Sequence, residues 1–526
     1  MISGAKSDFE KVRKGLGEYI FEQVEKYADN IYQIDGETGE KETFSSVGKR
    51  SSRLAINLKK LGLTNGDIVI TCLKNNLDSV IPHIAVLYCG AKFAALDPIQ
   101  TEKEWIHCVN LVKPKFIFVD EEHSEKMEKS IDRSEVKSVM VIAGKSDVHQ
   151  TLGELLSPSK DEDRFFPEII QDCYSTAVIS FSSGTTGLPK GVCHCHFGLI
   201  NMVINYSRMD MYDPGMVLVY STFYWITSLF SFIRAFQSGG CRITSNRFHP
   251  EKALEMMEKF KVTHCLLPPK AAKEFLKVKD FEKYDTSSLH HFLTGGATIT
   301  PDCLIGLRQL FKHSIVSNSY GSSEVGPIAA FDLSKDKHLL SELLSVGRCT
   351  NDIEIKIIDQ EMKHELGPNE EGEIWVRSPY ATTGYYNLES SSPFDSEGFL
   401  KTGDTGYYDE NECLFITGRC NEIFKNGSIK VVPSQWEVIL QEHPAIEEVA
   451  VFGLPQENGD LYPAACIVLK KNTAATAEEI EEFFIGRMTG YHRLEGGIKF
   501  VDQLPRTPSS KLKRVELYNM FINANK

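Results

Sequence analysis

The sequence lacks any long apolar run. Its most apolar stretch, residues 223–236, is interrupted by serine, threonine and Arg234, whereas a membrane-spanning helix needs about 20 consecutive apolar residues. The first eight residues contain no apolar segment of the kind that a secretory signal requires. Basic residues are also outnumbered, with 58 lysines and arginines against 72 acidic residues and a formal charge of −14. We therefore expect no membrane span, no secretion and no nucleic acid as the main partner.

The chain also lacks the features of a disulfide scaffold. Its 13 cysteines are spread over 526 residues, and in the absence of secretion we expect reduced thiols. The last residues do not form the peroxisomal signal Ser-Lys-Leu, so the expected location is cytoplasmic. Residues 193–196 alternate cysteine and histidine. Because alternate residues of a strand point to opposite faces, we expect no metal site there.

The pattern of the first two thirds of the chain predicts an α/β fold. Apolar strand-like runs at residues 67–73, 114–120 and 136–142 alternate with amphipathic helical segments, which is typical of parallel α/β layers. From about residue 345 the pattern changes to short strands with tight turns, such as residues 353–358 and 371–376. That second pattern predicts a small antiparallel sheet or barrel.

A domain boundary is expected just after Arg419. The segment that follows it, residues 420–422, is short and polar, and beyond this segment lies a compact α+β pattern. It comprises a predicted helix at residues 433–443, a strand at 448–453 and a helix at 475–486. A chain of this length needs more than one domain, and we place them at residues 1–419 and 420–526.

The most informative segment is residues 182–191, which contains three glycines, several hydroxyl side chains and Lys190. An apolar run at residues 177–181 precedes it and predicts a buried strand. Glycine allows close approach of a backbone to a ligand, and free N–H groups, hydroxyls and an ammonium suit a polyphosphate. The spacing differs from the common P-loop, in which Gly-Lys is followed directly by Ser or Thr.

This segment resembles the phosphate-binding signature of the adenylate-forming superfamily. That superfamily includes acyl-CoA synthetases, 4-coumarate-CoA ligases, beetle luciferases and peptide-synthetase adenylation domains. The resemblance implies a large N-terminal domain of two α/β layered subdomains plus a small β-barrel, followed by a small mobile α+β C-terminal lid domain. It also implies ATP-dependent adenylation of a small-molecule carboxylic acid.

A second segment, residues 320–324, resembles the superfamily motif Tyr-Gly-x-Thr-Glu. By this resemblance Glu324 is a Mg²⁺ ligand, since Mg²⁺ is usually bound by one or two carboxylates together with phosphate oxygens. Tyr320 would lie against the adenine or the acyl group. Ser323 replaces the usual threonine but keeps the hydroxyl.

Three further motifs follow in the order that the superfamily has them. Gly295-Gly296-Ala297 resembles the adenine segment, and Asp404 the aspartate that accepts hydrogen bonds from the ribose hydroxyls. Arg419 would also reach the ribose. Lys511 follows a proline-rich loop and resembles the lysine that stabilises the adenylation transition state, although Ser510 stands where glycine is usual.

The resemblance therefore implies an ATP and AMP site made of the following residues: Ser182, Ser183, Gly184, Thr185, Thr186, Gly187, Lys190, Gly295, Gly296, Ala297, Tyr320, Gly321, Ser322, Ser323, Asp404 and Arg419. The residues with implied catalytic roles are Lys511, Lys425 and Arg419.

The acid is expected in an apolar pocket whose walls come, by resemblance, from residues 221–227 and from residues near Tyr320. The candidate pocket residues are His196, Phe223, Tyr224, Trp225, Thr227 and Val325. The aromatic residues among them are equally consistent with an ordinary core. Beetle luciferases carry His-His-Gly-Phe in this region and this chain does not, which argues against the beetle luciferin.

The segment that serves the CoA step departs from the superfamily pattern. Asn421 stands at the hinge position, where lysine or aspartate is usual, and Ser428 stands where glycine allows pantetheine to pass, with Gly427 one place earlier. Lys425 matches a lysine that serves oxidation in luciferases. These departures are consistent with neutral drift or with weak thioester formation.

Three hypotheses remain open at this point. The first is an ATP- and Mg²⁺-dependent carboxylate–CoA ligase for a fatty or aromatic acid, with CoA as the second substrate. The second is an insect luciferase-type monooxygenase that adenylates a luciferin and oxidises it with O₂. The third is an inactive scaffold protein, against which the joint presence of Lys190, Glu324, Asp404, Arg419 and Lys511 argues. We expect a monomer or a weak homodimer in each case.

Overall fold

The computed structural model describes residues 1–132, 134, 136, 138–182, 188–209, 215–388, 393–426, 429–456, 461–488, 492–506 and 512–523. Its α-helices, numbered in chain order, are α1 (Leu16–Lys26), α2 (Phe44–Lys60), α3 (Val80–Tyr88), α4 (Glu102–Val112), α5 (Ser124–Lys129), α6 (Leu152–Leu155), α7 (His196–Ser207), α8 (Ile226–Ser238), α9 (Pro250–Phe260), α10 (Pro269–Glu274), α11 (Pro301–Leu310), α12 (Pro433–Gln441), α13 (Ala477–Ile485) and α14 (Arg514–Asn523).

The strands are likewise numbered in chain order. Those before residue 300 are β1 (Ile2–Ser3), β2 (Ile31–Asp35), β3 (Lys41–Thr43), β4 (Ile68–Cys72), β5 (Lys92–Ala95), β6 (Phe116–Asp120), β7 (Val139–Ala143), β8 (Gln150–Thr151), β9 (Thr176–Ser182), β10 (Lys190–Cys195), β11 (Met216–Val219), β12 (Cys241–Thr244), β13 (His264–Leu267) and β14 (His291–Gly295). Those after it are β15 (Ile315–Ser322), β16 (Gly326–Ala330), β17 (Arg348–Cys349), β18 (Glu354–Ile358), β19 (Gly372–Arg377), β20 (Gly384–Tyr385), β21 (Leu400–Tyr408), β22 (Leu414–Arg419), β23 (Phe424–Asn426), β24 (Ile429–Val431), β25 (Ile446–Pro455), β26 (Leu461–Leu469) and β27 (Gly497–Phe500).

The first large sheet has eight strands in the order β20-β10-β9-β5-β4-β6-β7-β8. Strands β9 to β8 in that order run parallel, and β10 and β20 add an antiparallel edge. Strands β4 and β6 are buried along their whole length. Strands that are covered by helices on both faces have to be apolar at nearly every position, which is why these two strands are nearly continuous apolar runs.

The second large sheet has nine strands in the order β17-β16-β15-β14-β13-β11-β12-β2-β3. Its middle strands, from β15 to β2, are parallel, so their carboxyl ends lie along one edge. In open α/β sheets that edge is where ligands bind. It is therefore the edge at which the candidate motifs have to be sought.

Buried aromatic side chains fill the cores around these two sheets. One core joins α1, α2, α3, α7 and α8, where Tyr32 stacks on Phe236 with ring centroids 4.6 Å apart and meets Phe44 edge-on at 5.0 Å. A second core packs α9, α10 and α11 on the nine-stranded sheet, with Phe275, Phe292 and Phe311 in mutual contact. Such pairs stabilise by roughly 0.5–1.5 kcal/mol each beyond their buried area.

Local signals set several helix starts. Thr101 and Glu104 form a reciprocal capping box at the start of α4, and Thr476 and Glu479 form another at α13. Each box satisfies backbone N–H groups that have no partner within the helix. Helices α9 and α11 begin with proline, whose missing N–H costs nothing at that position.

The remaining sheets are smaller. A five-stranded half-barrel has the order β1-β18-β19-β21-β22, in which β19, β21 and β22 pair antiparallel. Strands β23 and β24 form a hairpin, and β25, β26 and β27 form a three-stranded sheet covered by α12, α13 and α14. The chain divides into two compact units. The larger one comprises residues 3–354 and 377–399, and the smaller one comprises residues 1–2, 355–376 and 400–526.

These observations confirm the predicted fold class, a large α/β N-terminal part with a half-barrel and a small α+β C-terminal part. The strands predicted at residues 67–73 and 114–120 are β4 and β6, and the helix predicted at residues 475–486 is α13. The five-stranded sheet belongs to the smaller compact unit, and the boundary at residue 419 stays a prediction. No helix in the described part of the chain is long and apolar enough to cross a bilayer.

Candidate active site

The predicted phosphate loop connects two paired strands. Strands β9 and β10 are antiparallel, and Ser182 lies opposite Lys190 at the end of the pair. Residues 183–187, which carry most of the predicted phosphate contacts, lie outside the described residues. The end of the loop is anchored because the ring of His107 in α4 donates a hydrogen bond to the carbonyl of Pro189 at 2.9 Å. The strands thus bring Ser182 and Lys190 together at the mouth of the loop.

Glu324 lies in the tight turn between β15 and β16. The two strands pair antiparallel with Ser322 opposite Gly326, so the turn holds only three residues. Gly326 has φ +79°, and a side chain there would lie 2.2 Å from Sδ of Met202. Only glycine therefore fits this turn. The backbone carbonyl of Glu324 also accepts the N–H of Thr382 at 2.6 Å.

Tyr385 connects Glu324 with Lys190. Strand β20 adds to the edge of β10 with Val192 opposite Tyr385, and the Tyr385 hydroxyl donates to Oε1 of Glu324 at 3.2 Å. The Lys190 Nζ lies 5.0 Å from the centroid of the Tyr385 ring, within the range of a cation–π contact. Burial, and then the Glu324 carboxylate, raise the pKa of Tyr385. The phenol therefore stays protonated and remains a donor.

The predicted adenine segment lies at the carboxyl edge of the nine-stranded sheet. Gly295 ends β14 and pairs with Ser319 of β15, directly before Tyr320. Gly296 has φ +80° and, like Ala297, is exposed. A side chain on Gly296 would meet nothing within 4 Å, which leaves open space beside the backbone. Tyr320, Gly321, Ser322 and Ser323 continue along β15 and its turn towards Glu324.

The predicted acid-binding segment, residues 221–227, follows β11 at the same edge. Trp225 and Thr227 are half-buried. The indole Nε1–H of Trp225 donates to Oδ2 of Asp97 at 3.0 Å, and the Thr227 hydroxyl donates to Oγ of Ser221 at 3.2 Å. Asp97 follows β5 of the eight-stranded sheet, so the carboxyl edges of the two large sheets meet at this segment.

Four of the predicted pocket residues are more deeply buried. The rings of Phe223 and His83 stack with centroids 3.8 Å apart, and Phe223 also meets Phe232 edge-on. These contacts favour the interpretation of Phe223 as an ordinary core residue. Tyr224 is 5% exposed and Val325 is 2% exposed. Their assignment to the acid pocket stays a prediction.

His196 is the fourth and begins α7. It is 1% exposed, and its Nδ1 accepts the backbone N–H of Leu16 at 2.9 Å. Burial lowers the pKa of His196 to about 4, which keeps the ring neutral, as an acceptor must be. Its neighbour His194 uses Nε2 for a 2.7 Å hydrogen bond with Ser180. These contacts favour a core role for His196, and its place in the acid pocket also stays a prediction.

Asp404 and Arg419 form an ion pair in the smaller unit. They face each other on β21 and β22, with Nε of Arg419 2.7 Å from Oδ1 of Asp404. The Asp404 side chain is 10% exposed and that of Arg419 is 34% exposed. The carboxylate is thus held in one orientation while the guanidinium keeps an accessible face.

Lys425 lies on β23 in the same unit. Its Nζ is 3.0 Å from Oε1 of Glu361, and both side chains are largely exposed, at 69% and 77%. An exposed pair of this kind contributes only about 0–1 kcal/mol. Gly427, Ser428 and Lys511 lie outside the described residues, so their predicted roles stay predictions.

The larger unit offers a partial site for a divalent cation. The Glu324 carboxylate is half-buried and oriented by Tyr385. Among the described residues no group of three or more histidine, cysteine, aspartate or glutamate side chains can hold a metal ion. A cation at Glu324 would therefore need further oxygen ligands from phosphate and water, which is how Mg²⁺ is usually bound in nucleotide sites.

Sequence reasoning missed Tyr385, Asp97 and the anchor His107, and also Asn75, whose amide donates to the carbonyl of Ser221 at 3.2 Å. Asp97 follows a short buried strand, and a carboxylate at the carboxyl end of a parallel strand is a signal that could have identified it. Tyr385 has no such signal, because its contact with Glu324 spans 61 residues and depends on β20 pairing with β10.

The larger unit places a glycine-rich loop beside a carboxylate turn, and these groups suit a polyphosphate with its cation. The smaller unit carries the aspartate–arginine pair, whose carboxylate suits ribose hydroxyls. The AMP-binding enzyme family matches residues 20–386, and the AMP-binding enzyme C-terminal domain matches residues 435–511. The chain belongs to the AMP-binding enzyme family. Its predicted membership of the adenylate-forming superfamily is thereby confirmed.

The proteins that this chain resembles include CoA ligases and luciferases. A 4-coumarate–CoA ligase of Petroselinum crispum is 29% identical over 95% of this chain and 93% of its own length. A luciferin 4-monooxygenase of Photinus pyralis is 27% identical over 97% and 95%. The solved structure of the luciferase-like enzyme from the nonluminescent Zophobas morio mealworm is 39% identical, with a TM-score of 0.78 over 80% of this chain and 99% of that one.

Proposed function

We propose that this protein activates a carboxylic acid with ATP to an acyl-adenylate and then transfers the acyl group to CoA. The observation that carries the proposal is the contact of Tyr385 with both Glu324 and Lys190. It brings a carboxylate suited to a cation next to an ammonium suited to phosphate. Relatives that are named as CoA ligases, such as the 4-coumarate–CoA ligase of Petroselinum crispum, support CoA as the acceptor of the acyl group.

In the first half-reaction an oxygen of the acid attacks the α-phosphorus of ATP, and pyrophosphate leaves. The loop that begins at Ser182 would hold the β- and γ-phosphates, with Lys190 at its end. Glu324 would bind Mg²⁺, which neutralises charge on the phosphates. Position and electrostatic stabilisation account for most of the rate in phosphoryl and nucleotidyl transfer.

The remaining groups would orient the nucleotide and the acid. Gly295, Gly296 and Ala297 offer an exposed backbone to the adenine, and Asp404 offers carboxylate oxygens to the ribose hydroxyls. We propose that Arg419 supports Asp404 through their ion pair, and that Lys511 stabilises the charge developing at the α-phosphate.

In the second half-reaction the CoA thiol attacks the acyl carbonyl carbon, and AMP leaves with the electron pair of the broken bond. Asn421, Gly427 and Ser428 lie in the segment that the superfamily uses for this step, and they depart from its usual residues. We therefore expect adenylation to be the faster of the two half-reactions.

An oxidative second step is the alternative. It is favoured by the 39% identity to a luciferase-like enzyme and by Lys425, which matches the lysine that luciferases use for oxidation. In that reaction O₂ would add to the deprotonated α-carbon of the adenylate, and the terminal oxygen of the resulting peroxide would displace AMP from the acyl carbonyl. Loss of that carbonyl as CO₂ would leave the α-carbon oxidised, and CoA would not be consumed. The mealworm relative is described as nonluminescent, so we rank this alternative second.

The first experiment measures acid-dependent exchange of pyrophosphate into ATP with a panel of aromatic and fatty acids. We expect exchange in the wild type and nearly none in Lys511→Ala. The matched control is Lys513→Ala, which removes a lysine of the same segment whose ammonium pairs with Glu516 at 3.0 Å. Full exchange in Lys511→Ala would contradict the proposed adenylation role.

The second experiment repeats the incubation with ATP, Mg²⁺ and the acids that support exchange, with and without CoA. An acyl-CoA product that depends on CoA supports the ligase. If light or CO₂ forms in the absence of CoA, the ligase proposal is wrong and the oxidative alternative takes its place.

A further inference from the structure

A buried carboxylate holds the predicted acid-binding segment in place. Asp97 is 4% exposed and lies just beyond β5. Its Oδ2 accepts both the Thr222 hydroxyl at 2.9 Å and the Trp225 indole N–H at 3.0 Å. Its Oδ1 accepts the backbone N–H of Ile99 at 3.1 Å. A buried carboxylate is costly unless donors satisfy it, and two of these donors come from residues 221–227.

A second buried side chain ties the same segment to the eight-stranded sheet. Asn75, 3% exposed, follows β4, the strand next to β5. Its amide Nδ2 donates to the carbonyls of Tyr220, Ser221 and Ser245 at 3.0–3.2 Å. Asn75 thus fixes the backbone of the segment, and Asp97 fixes its side chains.

This arrangement decides which groups the segment can offer to a ligand. The Trp225 N–H and the Thr222 hydroxyl are both taken by Asp97. The Thr227 hydroxyl is taken by Ser221. The indole ring of Trp225, which is half-buried, therefore turns its hydrogen-bonding edge to Asp97. What Trp225 offers a ligand is therefore ring surface and not its N–H.

We propose that Asp97 is a positioning residue that makes the segment of residues 221–227 select acids with uncharged, apolar tails. This inference rests on the proposed adenylation function. Without Asp97, the Thr222 hydroxyl and the Trp225 N–H would lose their acceptor, and a polar tail would then be accepted more readily.

The test uses three acids as probes: octanoate, cinnamate and octanedioate. Octanedioate has the chain length of octanoate and adds one carboxylate. Acid-dependent ATP–pyrophosphate exchange is measured on the full-length protein, and KM for the acid, KM for ATP and kcat are determined separately. The variants are Asp97→Ala, Asp97→Asn and Trp225→Phe. Ile99→Ala is the matched control, because it alters an exposed side chain of the same loop and leaves its N–H bond to Asp97 intact.

Asp97→Ala removes the acceptor of two hydrogen bonds from the segment, and we expect KM for the preferred monoacid to rise by at least about tenfold. The preference for octanoate over octanedioate should fall by about the same factor. KM for ATP should stay within about twofold. Asp97→Asn keeps one acceptor oxygen and should recover most of the selectivity. An unchanged preference, or equal changes in KM for acid and ATP, would overturn the proposal.

Two further measurements separate positioning from a loss of fold. In a double-mutant cycle, Asp97→Ala should cost less in a Trp225→Phe background, because the N–H that it serves is already gone. In spectra of ¹⁵N-labelled protein, the indole N–H resonance that Trp225→Phe removes should move upfield in Asp97→Ala, as expected for a lost hydrogen bond. A resonance that does not move would also overturn the proposal.

Failure of the proposed function gives a different result. If the wild type exchanges pyrophosphate with no acid of any class, the adenylation assignment is wrong. The indole resonance then still decides whether Asp97 positions Trp225. If the wild type exchanges pyrophosphate and the Asp97 variants have the same KM for the acid and the same acid preference as the wild type, the adenylation assignment stands. The positioning role of Asp97 is then wrong.

Discussion

Glu324 in the larger unit and Lys425 in the smaller unit are held in contrasting ways. Glu324 is half-buried and is bound through both its carbonyl, by Thr382, and its carboxylate, by Tyr385. Lys425 makes one ion pair, with Glu361, and both partners are mostly exposed. Buried hydrogen bonds orient a group strongly, whereas exposed ion pairs contribute little and are screened by salt. The geometry of Glu324 is therefore set in advance, and Lys425 is free to exchange Glu361 for another partner at small cost.

The same contrast extends to the groups around them. In the larger unit Asn75, Asp97 and Tyr385 are contributed by strand ends that are far apart in the sequence. In the smaller unit Asp404 and Arg419 come from adjacent strands of one hairpin. The contacts that hold the candidate site of the larger unit thus depend on the whole sheet, whereas the Asp404–Arg419 pair of the smaller unit depends on a local strand pairing.

Glu324→Gln should give the largest effect. It keeps the shape and one oxygen but removes the charge that a Mg²⁺ ion requires. We expect pyrophosphate exchange to fall about hundredfold, in the range seen when one electrostatic group of an active site is removed. The measurement is exchange rate against Mg²⁺ concentration. The control is Glu342→Gln, an exposed residue of the same unit, and a Glu324→Gln rate close to that of the control would remove Glu324 from the site.

Tyr385→Phe should give an intermediate effect. It removes the hydroxyl that donates to Glu324 and keeps the ring beside Lys190. We expect the Mg²⁺ concentration for half-maximal exchange to rise between about threefold and tenfold, which corresponds to one hydrogen bond. Tyr386→Phe is the matched control on the next residue. Equal Mg²⁺ dependence in the two variants would show that the Tyr385 hydroxyl does not orient Glu324.

Mild acid should destabilise the larger unit more than the smaller one. Burial lowers the pKa of His83 to about 3 and the pKa values of His194 and His196 to about 4. The unfolded chain binds protons at these histidines below its ordinary pKa of about 6.5, and the folded chain does not until about pH 4. Stability therefore falls as the pH is lowered from about 6.5 to 4.

One group opposes this trend. Burial raises the pKa of Asp120 to about 6, so the folded state gains a proton there and is favoured as the pH falls from about 6 to 4. Burial also lowers the pKa of His123 in the larger unit and of His443 in the smaller unit. Four histidines against one aspartate leave a net loss in the larger unit, which we expect to lower the melting temperature by at least about 2 °C between pH 7 and pH 5. Hydrogen exchange measured by mass spectrometry at the two pH values locates the change. If lowering the pH increases hydrogen exchange more in the smaller unit than in the larger one, the expected order of acid sensitivity is wrong.

Glu361→Gln should give the smallest effect. It removes the carboxylate that pairs with Lys425, and an exposed pair contributes about 0–1 kcal/mol. We expect pyrophosphate exchange within about twofold of the wild type and a melting temperature within about 1 °C. A large loss of exchange would mean that the pair is needed for adenylation and that Lys425 is not free to change partners.

Much of the fold could be predicted from local patterns. The strands β4, β6 and β9 are continuous apolar runs because they are buried on both faces, and the helices α4 and α13 begin at capping boxes. The order of the motifs along the chain also identified the family before any geometry was known. Strand lengths were less well predicted, since the ends of a strand depend on its neighbours.

The sequence alone determined which residue types are present for adenylation and in which order: the glycine-rich loop at Lys190, Glu324 in its turn, and Asp404 with Arg419. Only the tertiary structure decided how they are held. Tyr385 reaches Glu324 across 61 residues, and Asp97 reaches Trp225 across 128. The physical reason is that contacts of this range are created by strand pairing and by the meeting of two sheet edges. Neither leaves a periodic signal in the residues that make the contact.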